Sequence, residues 1–245
     1  MWKQKFEVQP DCRIQKRMEV DQWVVTLVFP HGQRLSRGAK SPGVYAFLPT
    51  EMVTNLPFII QADFLLASSR ESILFDSQWN RGILECVPSA FVNAFGALLK
   101  SSRDAPHFAL APIFRFLPIQ DSSISLFDNV RLSIKTKVEA EDIMPCESCT
   151  TQKVFCKPTE VSRLDSAFWR ILNLAQKQGI GLQNLSSYGT FVLSSYLDNQ
   201  EYDDVLEFLG IGYANKEWYS KCIDGLNLVK GVYLQILYFV AGNLY

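Results

Sequence analysis

Apolar and polar residues alternate between Phe58 and Leu66. Phe58, Ile60, Ala62, Phe64 and Leu66 fall on one face, and Ile59, Gln61, Asp63 and Leu65 on the other. That pattern predicts a strand with one fully apolar face, preceded by a shorter strand over Val44–Leu48. The strand stops at Ser68-Ser69-Arg70-Glu71, a polar turn that leaves an arginine exposed at a strand end. Beyond it, Asp76 or Ser77 is placed to cap a helix whose Trp79, Ile83, Val87, Phe91 and Phe95 recur every four residues. Pro88 falls inside that helix and removes one backbone donor, which predicts a bend or a split before its end near Leu99.

The same reasoning places the remaining elements. Phe6–Val8 is a short strand, and Gln22–Phe29, rich in β-branched and aromatic residues, is a longer one closed by Pro30-His31-Gly32. Pro112–Pro118 reads as a strand bracketed by prolines. Ile124, Phe127, Val130, Ile134 and Val138 repeat close to 3.6 and predict a helix after Ser122 and Ser123. Pro145–Pro158 reads as irregular or weakly stranded. A helix beginning at Asp165 or Ser166 buries Phe168, Ile171, Leu172 and Ala175 and stops at Gly179. Phe191–Leu193 is a short strand, Glu201–Leu209 a helix stopped by Gly210, and Lys216–Ile223 another helix. The apolar tract Gly231–Gly242 is a last helix, too short to cross a bilayer, and is expected to be cut off at its end. The fold class is therefore α+β: a mixed or antiparallel sheet with helices on one face, then a mostly helical C-terminal region. The change of character near Leu117–Ser123 divides the chain into 1–118 and 119–245.

Composition narrows the function classes. The chain has 245 residues, 48% hydrophobic and 20% charged, enough to bury a core, and a net charge of −1 that offers no field for a polyanion. The basic group Arg13–Arg17 reads as a solvated face and Arg34–Pro42, with Arg34–Lys40, as a basic loop, so nucleic acid is not an expected partner. Six cysteines without a secretory signal point to reduced thiols in an intracellular compartment, cytoplasm or nucleus.

Leu56-Pro57-Phe58, followed by Ser69-Arg70-Glu71 and Trp79-Asn80, resembles the large plant proteins called NO VEIN-like, which are related to sacsin. Val20–Thr26 and Pro42–Thr50 look like the same family, and the resemblance runs over most of the chain. Those proteins carry an ATPase module of the type shared by DNA gyrase B, histidine kinases and heat-shock chaperones. The resemblance implies that this chain is the part that follows the ATP-binding lobe and couples that lobe to partner binding. The module's Glu/Asn helix, Asp-x-Gly-x-Gly turn and glycine-rich lid have no counterpart here, so ATP and magnesium are expected only with the missing lobe. The chain alone is expected to have no turnover. In the chaperones, a Leu-Pro-Leu-Asn-x-Ser-Arg-Glu stretch sends its arginine to the terminal phosphate. Leu56-Pro57 and Ser69-Arg70-Glu71 resemble it, with a longer strand between them, which makes Arg70 the candidate phosphate-sensing residue. Its guanidinium offers forked donors to phosphoryl oxygens; the plainer role is a turn arginine paired with Glu71 or Asp76. The expected partner is the ATP-binding lobe of the same parent, or another protein. The alternative is a stand-alone interaction module that has lost its ATPase half.

Other chemistry is thin. There is no phosphate-cradling Gly-x-x-x-x-Gly-Lys-Ser/Thr loop and no Gly-x-Gly-x-x-Gly fingerprint. Cys146, Cys149 and Cys156 have a spacing that can share zinc, but no fourth ligand is near in sequence, so free thiols are the expectation. His31 and His107 have no nucleophile motif beside them, which argues against a hydrolase. The acidic groups Glu139/Glu141/Asp142 and Glu201/Asp203/Asp204 have no calcium-loop spacing.

Overall fold

The computed structural model describes residues 1–30, 43–101, 109–147, 154–180, 185–226 and 228–243. The chain divides into two compact units, one made of Met1–Asp104 with Pro112–Val138, the other of Ala105–Ala111 with Glu139–Tyr245. The helix that follows Ser122 therefore groups with the N-terminal sheet, although composition changes before it.

In the first unit, strands β1 (Trp2–Glu7), β2 (Gln22–Val28), β3 (Val44–Ala46), β4 (Leu48–Pro49) and β5 (Ile59–Gln61) form a mixed sheet in the order β1-β2-β5-β3-β4. β2 runs antiparallel to both β1 and β5, and β3 lies parallel to β5, with Val44 opposite Ile60. Alternation decides which face is covered. Trp23, Val25 and Leu27 of β2 and Ile60 of β5 are buried, while Lys3 and Lys5, in register with Thr26 and Val24, stay exposed.

The apolar face is covered by helix α1 (Gln78–Ser101), whose Trp79, Ile83, Val87, Phe91 and Phe95 are all buried, as the four-residue spacing requires. Ser77 caps it, its hydroxyl accepting from the Asn80 N–H. Pro88 neither splits nor ends the helix, which continues to Ser101. By length and composition α1 is apolar enough to cross a bilayer, yet its large side chains lie in the core. Phe58, Phe91, Phe95 and Phe114 stack or cross in series with centroids 5.1–5.6 Å apart.

One close approach fixes how α1 meets the sheet. A Cβ placed on Gly82 would run into the edge of the Trp23 ring and lie 2.8 Å from the Cys12 sulfur. Trp23 in turn meets Trp79 edge to face at 5.5 Å. Gly82→Ala, which on an exposed helix would stabilise, is expected here to cost about 1–3 kcal/mol through overpacking. Its denaturant midpoint, followed by tryptophan emission, should fall without a change of slope.

Val44–Leu48, read as one strand, turns back at Phe47 as β3 and β4, and two further segments depart from their sequence reading. The Phe58–Leu66 strand is ladder-paired only over Ile59–Gln61; after Gln61 the chain bends, although burial still alternates through Phe64. Pro112–Pro118 is not a strand. Ala111–Phe116 is a 3-10 turn with Phe114 buried, since a proline entering a short apolar run suits a first helical turn as well as a strand bracket. Helix α2 (Ser125–Glu139) then buries Phe127, Val130, Ile134 and Val138. Its approach is anchored by Asn55, whose side chain donates to the Asp121 carbonyl at 2.9 Å, and by Arg131, which pairs with both Asp121 and Asp128.

The second unit has little sheet. β6 (Met144–Cys146) pairs antiparallel with β7 (Val154–Cys156), and β8 (Val161–Ser162) pairs parallel with β9 (Phe191–Val192). Around them lie α3 (Ser166–Lys177), α4 (Asp203–Phe208), α5 (Lys216–Gly225) and α6 (Val229–Asn243). Asp165 caps α3 by accepting from the Ala167 N–H, and Gly179 and Gly210 take positive φ after α3 and α4. Phe168, Trp218, Tyr219 and Phe239 form its aromatic core.

Arg163 sets the polar centre of this unit. It donates to Asp198 at 2.8 Å and to Asp203 at 2.7 Å, and its guanidinium lies over the Tyr213 ring. Asp203, part of an acidic group weighed for a cation, is thus occupied by an arginine.

Candidate functional site

Arg70 sits at the tip of a hairpin. Leu66 bridges Ile73, the Leu74 N–H donates to the Leu65 carbonyl and the Ala67 N–H to the Ser72 carbonyl. The Arg70 N–H closes the turn on the Ala67 carbonyl at 2.9 Å. Arg70 adopts φ 63°, a left-handed conformation that a side chain makes costly, and it is exposed. Among the described residues no ion pair or side-chain hydrogen bond holds its guanidinium. The pairing with Glu71 or Asp76, weighed from sequence, is not formed. Glu71 is tied instead through its backbone, its carbonyl accepting from the Glu51 N–H.

What holds the hairpin is Asn80, a buried amide on the first turn of α1. Its Oδ1 accepts from the Leu65 N–H at 2.8 Å, and its Nδ2 donates to the carbonyls of Leu65 and Leu74 at 2.8 and 2.9 Å. Both strands entering and leaving the Arg70 turn are therefore bonded to one side chain that is 1% exposed. Trp79 adds a bond from its indole N–H to the Asp63 carbonyl at 2.8 Å. Sequence reasoning gave Asn80 no role. Its one legible signal is a polar residue where the four-residue spacing of Trp79 and Ile83 keeps the neighbouring positions in the core.

A cleft of about 430 Å³ opens beside the sheet, with Lys3, Thr26, Phe47, Gln61 and Asp63 among its walls; Arg70 does not line it. Phe47, the single residue between the paired Ala46 and Leu48, has φ 71° and is 91% exposed. Leu48 is 65% exposed beside it.

The basic cluster Arg13–Arg17 is largely neutralised within the fold. Arg13 pairs with Asp21, and Arg17 grips both oxygens of Asp63 at 2.8 and 3.0 Å. Arg34–Lys40, His31 and His107 lie outside the described residues.

Of the three candidate zinc cysteines, β6 and β7 bring Cys146 and Cys156 together, with the Cys146 thiol donating to the Met144 carbonyl at 3.4 Å, and Cys149 lies outside the described residues. No group of three His, Cys, Asp or Glu side chains gathers among the described residues. Burial pushes both thiols above the ordinary cysteine range, which keeps them protonated and poor as metal ligands. Burial also lifts Cys86 to about 11 and Cys222 to about 12.

No family model matches this chain, and no solved structure matches it. The protein NO VEIN of Arabidopsis thaliana is 32% identical over 110 residues, which is 42% of this chain and 4% of that protein's length. Over that stretch the chain is similar to NO VEIN.

Proposed function

We propose that this chain is the non-catalytic segment that follows the ATP-binding lobe in a chaperone-like ATPase of the sacsin/NO VEIN type. In this reading the lobe, with its ATP and magnesium, closes onto the segment, and Arg70 senses the terminal phosphate. The single observation that carries it is the state of Arg70: an exposed guanidinium with no partner among the described residues, on a turn whose two strands are bonded to the buried Asn80. A rigid mount and an unoccupied fork are what transition-state recognition of phosphoryl oxygens asks of an arginine. Nucleotide would shift the population toward the arrangement in which that contact forms, in an intracellular setting. In the intact parent, Arg70→Ala is expected to lower ATP hydrolysis by roughly 10³-fold with the protein still folded. Unchanged hydrolysis overturns the assignment.

A second reading is favoured by Phe47 and Leu48, two exposed apolar side chains at a strained turn. Here the chain is an interaction module that works by binding another protein, without a lobe. Whether the reading frame upstream of Met1 encodes an ATP-binding lobe separates the two.

A further inference from the structure

Cys146 and Cys156 lie on the same face of the β6–β7 pair. The register sets Cys146 opposite Val154 and Met144 opposite Cys156, so the two cysteines are diagonal neighbours. The two side chains lie beside one another, and the Cys146 thiol donates to the Met144 carbonyl at 3.4 Å. Both are unoxidised and buried, at 0% and 4% exposure. β6 is held on its other side as well: the Glu147 N–H donates to the Val192 carbonyl and the Ser194 N–H to the Pro145 carbonyl, both at 2.8 Å. β7 pairs with β6 alone among the described residues. It is the margin of this sheet, where opening is least costly.

From this juxtaposition we propose that Cys146 and Cys156 form a reversible disulfide when the chain meets a low-molecular-weight disulfide such as oxidised glutathione, locking β7 onto β6. The Cys156 thiol loses its proton and attacks the glutathione disulfide, giving a mixed disulfide and one glutathione thiolate. The Cys146 thiolate then attacks the Cys156 sulfur and expels the second glutathione. Two cysteine thiols are oxidised, one disulfide is reduced to two thiols, and the protons end on glutathione. Cys156 leads because it is the less buried of the two and lies on the marginal strand. Since the buried pair reacts only when β7 lifts, the bond forms slowly and protects itself once β7 closes again.

The test is to incubate the full chain with excess oxidised glutathione, then measure intact mass and map peptides under non-reducing conditions. The expected result is the loss of two hydrogens with residues 146 and 156 in one cross-linked peptide. The oxidised wild type should unfold a few degrees higher than the reduced form, and Cys156→Ala should show neither change. Two results overturn the proposal: a bond to Cys149 in place of the 146–156 link, or free thiols at both positions after the partly exposed Cys86 has taken up glutathione. Mapping of the wild type decides the matter even where Cys156→Ala folds poorly.

Discussion

Asp198→Ala is expected to destabilise the second unit by about 3–5 kcal/mol, the range for removing one partner of a buried ion pair. The Asp198 carboxylate is 2% exposed and fully used. One oxygen accepts from Arg163, and the other from the Leu164 N–H at 2.9 Å and the Trp169 indole N–H at 2.8 Å. Alanine leaves all three donors without that acceptor, and Arg163, 11% exposed, keeps only the more exposed Asp203 and the face of Tyr213. Leu164 and Trp169 flank the start of α3, so the loss is felt where that helix begins. Asp198→Asn restores acceptor shape without the charge and should recover part of the loss. Guanidinium unfolding of both variants, read at Trp169 and Trp218, checks the order. A loss below 1 kcal/mol for alanine would mean that water replaces the carboxylate at little cost.

Asn80→Ala is expected to cost about 2–4 kcal/mol, because three part-buried backbone groups of the Arg70 hairpin lose their buried partner together. The effect should also be local. Amide exchange of Leu65, whose N–H has Asn80 as its acceptor, should quicken far more than exchange within β1 and β2. Asn80→Asp separates the two functions of the amide: an acceptor for Leu65 remains, and both donors to carbonyls are lost. Equal exchange at Leu65 in wild type and Asn80→Ala would show that Leu66 and Ile73 hold the hairpin by themselves.

The parts of this fold that rest on periodicity were legible before any coordinates. Trp79 to Phe95 every four residues and Phe168 to Ala175 each state which side faces the core, and burial follows. Pro112–Pro118 was not legible, because a short apolar run between prolines fits a tight helical turn and a strand equally well. Neither was the length of the Phe58–Leu66 strand. Its alternation continues to Phe64 although the ladder ends at Gln61, since burial can alternate along extended chain with no strand beside it. The candidate site divides in the same way. The exposed turn at Arg70 was readable from Ser69-Arg70-Glu71. Asn80 and Asp198 were not, because each acts on backbone or side-chain groups 6–35 residues away, and an isolated polar residue does not announce its partner.

The alternation of the two units along the chain bears on the order in which the protein is made. The first unit needs both β1 at the N-terminus and α2, which ends at Glu139, so synthesis must pass Val138 before that unit can close. Until synthesis passes residue 114, Phe58, Phe91 and Phe95 on the nascent chain lack the Phe114 that completes their series. Ala105–Ala111 leaves the ribosome before Val138 but groups with residues from Glu139 onward, so its unit closes later. A ribosome pause between Ser101 and residue 114 would therefore lengthen the exposure of Phe58, Phe91 and Phe95.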